Sequence, residues 1–266
     1  MLFSWLADRR RHKILEQPFP DSWAEIIRAR VPHYAWLDEA EQLHLRQLVQ
    51  VFVEEKHWEA LGGLELDDDI RVTIAAQACL LILGLEHSLY RKVDSILVYP
   101  HTVVAPPPKP SFFSTGTQLA TGGMPILGQA FTQGPVILVW DAVRQGAANP
   151  RDGHNVVFHE FAHKIDMLGG HADGVPPLAD AATYDAWIEV FTREYEALRA
   201  RTDSGRRTYL GSYALTNGAE FFAVATEHFF EQPIEMEEEH HAMYVVLRDF
   251  YRQDTASRVR RSRRTK

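Results

Sequence analysis

Apolar residues recur every three to four positions along much of the chain, which is the spacing of helices that bury one face. Seven segments follow this pattern and are predicted to be helices: residues 23–31, 38–57, 70–90, 153–168, 183–201, 218–231 and 235–251. Asp38 begins the second segment and Glu41 follows three residues later, the spacing of a capping box at a helix start. The segment 70–90 is mainly apolar, so we expect a buried helix there.

Two short runs have the composition of β-strands. Residues 95–99 end at Pro100, and residues 135–140 follow Gly134; both runs are rich in Val, Ile and Leu. A long irregular stretch separates them and contains the proline-rich segment 105–113, and loops of this length are often functional. We therefore predict an α+β fold, in which a small sheet is surrounded by many helices.

The composition is that of a globular protein. The 266 residues are 45% hydrophobic and 11% aromatic, as in a globular protein with a real core. No apolar run approaches the roughly 20 residues of a membrane-spanning helix, and the first residues lack the order of a secretory signal. We expect one domain over residues 1–254, with a helical part over about 1–90. The single cysteine, Cys79, lies in an apolar run, which fits a cytoplasmic protein.

Charge is distributed unevenly. The last nine residues carry six of the 28 basic residues, so the rest of the chain has 22 basic against 36 acidic residues and a net charge of −14. Such an acidic body argues against direct nucleic-acid binding by the folded domain. Residues 255–266 are predicted to be a disordered basic tail, either simply solvated or in contact with an acidic partner or nucleic acid.

The clearest chemical signal is the HExxH motif His159-Glu160-Phe161-Ala162-His163. On a helix, residues four apart lie almost above one another, so both imidazoles can converge on one Zn²⁺. Glu160 projects from the same side and can act as general base on a water molecule. The flanking residues are apolar, and buried His and Glu need partners or a metal ion. The motif therefore predicts the active site of a zinc peptidase.

A catalytic zinc ion usually takes a third protein ligand. The metzincin continuation is excluded, because it would need glycine and histidine where this chain has Asp166 and Gly169. Glu220 is the candidate, since it lies among apolar residues at the start of the helix 218–231. Glu220 also lies three residues after Asn217, so a capping role is the alternative. The apolar surroundings favour the role of ligand.

Two other acidic residues and one strand are candidates for supporting roles. Glu227 shares a helix face with Glu220 and is either a partner of a metal ligand or an exposed charge. Asp166 lies one turn beyond His163 and is expected to orient a ligand imidazole. Strand 135–140 is either an edge strand that binds extended peptide or an ordinary core strand.

The chain resembles the Mlc titration factor A family of bacterial zinc peptidases, which is similar to the catalytic domain of anthrax lethal factor. The resemblance covers about residues 60–251, and the matching pieces are residues 63–66, 96–100, 133–138, 159–166 and 213–230. It implies a zincin-like fold with one Zn²⁺ per chain. In some related glutamate-zincins an acid follows the ligand glutamate by four residues, where this chain has Val224.

The same resemblance implies roles for individual residues. His159, His163 and Glu220 are implied as zinc ligands, Glu160 as the base, and Tyr213 as an electrophilic tyrosine near the metal. Tyr213 could donate its O–H to the oxyanion of the reaction, and a core tyrosine is the alternative.

Two functions follow from this reading. The first is a zinc-dependent metallopeptidase with aminopeptidase-like action, in which Glu160 and a zinc-activated water hydrolyse the bond of a peptide substrate. The residues alone do not distinguish cleavage at an end from cleavage within a chain. The second is a regulatory protein that binds and sequesters the Mlc transcriptional repressor of the glucose phosphotransferase system.

Overall fold

A computed structural model describes residues 2–101, 103–104, 125–126, 128–130 and 134–264. The proline-rich segment 105–113 lies outside these residues. Within them the chain forms eleven α-helices: α1 (Leu2–Leu15), α2 (Asp21–Arg30), α3 (Glu39–Glu55), α4 (Asp68–Leu81), α5 (Trp140–Ala148), α6 (Val156–Asp166), α7 (Ala181–Asp203), α8 (Gly218–Glu231), α9 (Pro233–Glu239), α10 (His241–Tyr251) and α11 (Thr255–Arg264).

The strands of the described residues form one main sheet and a separate pair. They are β1 (His57–Ala60), β2 (Ser95–Tyr99), β3 (Val103–Val104), β4 (Pro125–Ile126), β5 (Gly128–Ala130) and β6 (Val136–Val139). The main sheet has the order β1-β2-β6-β5, whereas β3 pairs with β4. Strands β1, β2 and β6 are parallel, and β5 is antiparallel to β6. The predicted α+β class is confirmed.

The core lies around α6, the helix that carries the HExxH motif. Helix α6 contacts α4, α8, β5 and β6. On its buried side, the ring of Phe161 lies 5.7 Å from that of Phe52 and 5.0 Å from that of Tyr90. Aromatic packing thus fixes one face of α6, and this leaves the opposite face to carry the polar residues of the motif.

Two predicted helices are shorter than their apolar patterns suggest. The helix predicted over 70–90 ends at Leu81. Gly84 follows it and approaches the backbone of Tyr251 so closely that an added Cβ would lie 2.4 Å from the carbonyl oxygen of Tyr251. The helix predicted over 235–251 is divided at His240 into α9 and α10. His240 leaves the helical conformation there, and its Nδ1 lies 2.8 Å from a carboxylate oxygen of Glu194.

The prediction of a disordered basic tail is wrong for residues 255–264, which form α11. Ala256 and Val259 lie three residues apart, so both face the core and are buried. Arg258 is also buried and donates hydrogen bonds to Glu41 at 2.8 Å and to Gln253 at 2.6 Å. Composition alone predicted disorder because it did not reveal that the cations have acidic and amide partners.

Strand 135–140 is not an edge strand. Only part of this predicted strand is a strand in the structure, namely β6, which lies between β2 and β5. Trp140, the last residue of the prediction, begins α5. Within the part of the chain that the structure describes, the edge on this side of the main sheet is instead β5, which contacts α6. Among the described residues, no helix is sufficiently long and apolar to cross a membrane.

Candidate metal centre

Helix α6 begins at a firmly capped residue. The side chain of Asn155 accepts hydrogen bonds from the backbone N–H groups of Val157 and Phe158, each at 3.1 Å. The cap fixes where the first turn starts and therefore where the motif histidines point. His159 and His163 are one turn apart, and their Nε2 atoms are separated by 3.2 Å.

Helix α8 brings Glu220 to the same point. The side chain of Asn217 caps this helix and accepts the backbone N–H of Glu220 at 2.9 Å. The Glu220 carboxylate itself is directed at the histidines, with one oxygen 3.0 Å from Nε2 of His159 and 3.5 Å from Nε2 of His163. The cap is therefore Asn217, and the structure brings the three predicted ligands together within 4.8 Å of one another.

These three groups fit a tetrahedral metal ion. Zinc bonded to nitrogen and oxygen at about 2.0–2.2 Å in a tetrahedron separates its ligand atoms by about 3.3–3.6 Å. The observed separations are 3.0, 3.2 and 3.5 Å. Because His159 uses its Nδ1–H to bond Glu227, its neutral ring offers only a lone pair at Nε2. With a neutral ring, a lone pair of His159 would face a lone pair of Glu220 with no hydrogen between them. The two groups then need a positive charge between them, which either a metal ion or a proton can supply.

In the absence of a metal ion, a proton supplies that positive charge. Burial acts to lower the pKa of His159, but its hydrogen bonds to Glu220 and Glu227 and nearby negative charges raise that pKa well above 6.5. Burial also acts to raise the pKa of Glu220, yet its hydrogen bonds to His159 and His163 lower that pKa well below 4.5. Metal binding must therefore displace a proton from this site.

Glu160 lies beside this point and is only 5% exposed. Burial raises the pKa of Glu160 from 4.5 to about 7, against the opposing effect of His159 and His163. A carboxylate with a pKa near neutrality can both accept and return a proton at physiological pH, as a general base requires.

Tyr213 lies in a short 3-10 turn, Ser212–Leu215, just before α8. Its ring centre is 6.0 Å from that of His159, and the residue is 51% exposed. Partial burial, the charge of Glu220 and a hydrogen bond with Glu220 raise the pKa of the Tyr213 hydroxyl above 10. The residue is therefore not a core tyrosine: it is half exposed, and its protonated hydroxyl contacts Glu220.

Glu227 is a partner of the predicted ligand His159 rather than an exposed charge. It is 5% exposed, and one carboxylate oxygen accepts the Nδ1–H of His159 at 2.8 Å. The other oxygen accepts the backbone N–H of Asn155 at 2.6 Å. Glu227 therefore fixes the tautomer and orientation of His159 so that Nε2 faces the cluster.

A further layer of polar contacts was not foreseen from the sequence. Nδ2 of Asn155 donates to Gln77 at 2.8 Å and to Glu231 at 3.1 Å. Burial of Glu231, which is 1% exposed, raises its pKa from 4.5 to about 9. The available signal was Gln77 in the otherwise apolar run of α4, since a buried amide needs a partner.

Asp166 does not contact a ligand imidazole, contrary to the prediction. Both of its oxygens accept the backbone N–H of Gly174, at 2.9 and 3.1 Å. Burial raises the pKa of Asp166 to about 6, although the hydrogen bond from Gly174 opposes that shift. Asp166 therefore anchors the loop that follows α6.

An α+β fold in which one helix supplies His, Glu and His and a second helix supplies a distant Glu defines a metallopeptidase. The chain belongs to the glucose-regulated metallo-peptidase M90 family, whose model matches residues 5–252. A relative from Synechocystis sp., called uncharacterized protein slr2042, is 35% identical over 93% of this chain and 89% of the relative. Proteins called Mlc titration factor A from Yersinia pestis and Yersinia pseudotuberculosis are 29% identical over 97% of this chain and 92% of theirs.

Proposed function

We propose that this metallopeptidase uses one Zn²⁺ per chain, held by His159, His163 and Glu220, and acts on short peptides as an aminopeptidase. The convergence of the three ligand atoms, with separations of 3.0, 3.2 and 3.5 Å, carries this proposal. Three ligands leave a fourth tetrahedral position open, as in catalytic rather than structural zinc sites.

The side chains around the site can carry out the proton transfers of peptide hydrolysis. When bound, zinc supplies Lewis acidity, which lowers the pKa of water and polarises a carbonyl group. Glu160, with its pKa of about 7, takes a proton from the attacking water and passes it to the leaving amine. Tyr213 donates its O–H to the oxyanion that develops on the peptide carbonyl.

Strand β5 is the proposed binding edge for an extended peptide. Within the described residues it pairs with β6 on one side, and no strand pairs with its other side. It also contacts α6, so a peptide added to this edge would run beside the HExxH helix. Backbone hydrogen bonds to such an edge accept many sequences, which suits an enzyme that acts on varied short peptides.

Metal content and hydrolysis, measured together, test this proposal. Wild type and Glu220→Ala are subjected to elemental analysis and assayed on chromogenic peptides with free and acetylated amino termini. We expect one zinc per wild-type chain, loss of zinc and activity in Glu220→Ala, and cleavage of free amino termini only. Zinc and activity that survive Glu220→Ala would exclude Glu220 as ligand, and cleavage of acetylated peptides would exclude the aminopeptidase assignment.

A second candidate function is the binding of a repressor of the Mlc type. It is supported by the relatives called Mlc titration factor A, which match 97% of this chain. Glu160→Gln separates the two functions, because the change removes the base and leaves the ligand set intact. We expect this variant to lose hydrolysis and to retain binding to purified Mlc. Loss of Mlc binding in the zinc-loaded variant would show that the roles are not separate.

A further inference from the structure

The loop after α6 meets the start of α8 backbone to backbone. A Cβ added to Gly174 would lie 2.3 Å from the carbonyl oxygen of Gly218, and a Cβ added to Gly218 would lie 2.3 Å from that of Asp173. Both distances are far below van der Waals contact, and backbone atoms cannot rotate away as a side chain can. The approach is therefore possible only because both positions are glycine.

Gly174 is held firmly on its other sides. Its N–H donates to both oxygens of Asp166, a residue of α6 with no exposed surface. Its carbonyl oxygen accepts the indole N–H of Trp187 at 3.0 Å, and Trp187 is a buried residue of α7. The loop is thus tied to α6 and α7, and it acts as a fixed stop for the first turn of α8.

The first turn of α8 carries the third predicted ligand. Gly218 is the first residue of the helix, and Glu220 follows two residues later. An added Cβ at either glycine would lie 2.3 Å from the facing carbonyl oxygen, so restoring an ordinary contact would displace this turn by about 1 Å. Zinc–ligand distances hold within about 0.2 Å, so a displacement of that size exceeds what the metal site accepts.

We propose that Gly174 and Gly218 are positioning residues that set the reach of Glu220 toward His159 and His163. This inference rests on the proposed zinc site. The close contact of the two glycines, anchored by Asp166, fixes the spacing between the two helices that supply the ligands. The glycines affect the metal through Glu220 and do not touch it.

The test is the zinc affinity of Gly218→Ala and Gly174→Ala, measured by competition with a chromogenic chelator. Alanine is the better helix former, so propensity alone would leave Gly218→Ala unharmed or stabilised. Gly170→Ala is the matched control for Gly174→Ala. Both glycines have positive φ, +108° and +88°, but a Cβ at Gly170 meets no atom within 4 Å. We expect a loss of at least about tenfold in both test variants and wild-type affinity in the control.

A second measurement distinguishes positioning from general damage. Thermal unfolding of the metal-free proteins identifies variants that fold, and the visible absorption of bound Co²⁺ reports coordination. We expect an altered Co²⁺ spectrum in Gly218→Ala. We also expect Gly218→Ala/Glu220→Ala to bind zinc no more weakly than Glu220→Ala, because the glycine acts through that carboxylate.

Three results would overturn this inference alone. Wild-type zinc affinity in either folded test variant would do so, as would equal losses in Gly174→Ala and Gly170→Ala. Additive losses in the double variant would show that Gly218 does not act through Glu220. A wild-type chain that binds no zinc would overturn the proposed function and this inference together, so the two failures are distinguishable.

Discussion

Replacing Glu227 with glutamine should weaken zinc binding without unfolding the chain. The residue is 5% exposed, and its side chain accepts hydrogen bonds from Nδ1 of His159 at 2.8 Å and from the backbone N–H of Asn155 at 2.6 Å. Glutamine keeps the volume but has one oxygen, so one of these two N–H groups must face an amide NH₂. The ring of His159 then loses its fixed orientation, or Asn155 loses its partner.

Two independent estimates give the size of this effect. Removing the partner of a ligand imidazole typically lowers metal affinity 10- to 100-fold, which is about 1.4–2.8 kcal/mol. A hydrogen bond to a charged group contributes about 1.5–3 kcal/mol. The estimates agree because the hydrogen bond from Nδ1 to Glu227 is the contact that is lost.

Chelator competition on purified metal-free protein measures this affinity directly. Glu235→Gln is the control, because it removes the same charge from an exposed position of α9. Thermal unfolding of each metal-free variant checks that the chain is folded. If folded Glu227→Gln binds zinc within twofold of wild type, the carboxylate does not orient His159 and the reasoning is refuted.

Three further predictions concern the base, a buried carboxyl group and the last helix. Glu160→Gln should lower kcat on a short peptide by about 10²–10⁴-fold with zinc content unchanged; activity within tenfold of wild type would exclude this base. Burial raises the pKa of Glu231 from 4.5 to about 9. Its contribution to the free energy of unfolding is therefore full below pH 4.5, and between pH 4.5 and pH 9 it falls by at most about 1.4 kcal/mol per pH unit. Urea unfolding should lose that slope in Glu231→Gln, and an unchanged slope would contradict the assignment. Arg258→Ala should lower the free energy of unfolding by about 1.5–3 kcal/mol, because it leaves Glu41 and Gln253 without their buried partner. A change under about 0.5 kcal/mol in urea titrations would mean that α11 is only loosely attached.

The two helices that carry the site could be predicted because their signals are local. Helix α8 spans residues 218–231 as predicted, since Asn217 caps one end and Pro233 follows the other. The motif places His159 and His163 on one face through helical periodicity alone. Such features depend on a few neighbouring residues, and the rest of the fold does not change them.

Features that depend on contacts between distant segments could not be predicted in the same way. Whether Glu227 is buried depends on how closely α6 approaches α8, which no local pattern records. The close approach of Gly84, just after α4, to the backbone of Tyr251 joins segments that are far apart in the sequence. The contact of Gly174 with Gly218 likewise arises only when a loop and a helix start meet, so each glycine alone resembles an ordinary turn or helix start.

The position of the supporting acid follows from the direction in which the two helices run. Contacts join Glu220 to His163 and His159, Glu227 to His159 and Asn155, and Glu231 to Asn155, so α8 runs antiparallel to α6. An acid seven residues after Glu220 lies about 10 Å along the axis, near the first turn of α6, whereas one four residues after it would lie about 6 Å along. The longer spacing lets the carboxylate of Glu227 accept hydrogen bonds both from the imidazole of His159 and from the backbone N–H of Asn155, where α6 begins. A carboxylate at this end also stabilises α6 through its dipole. Glu227, seven residues after Glu220, therefore contacts His159 itself, and the valine at residue 224 is part of the core.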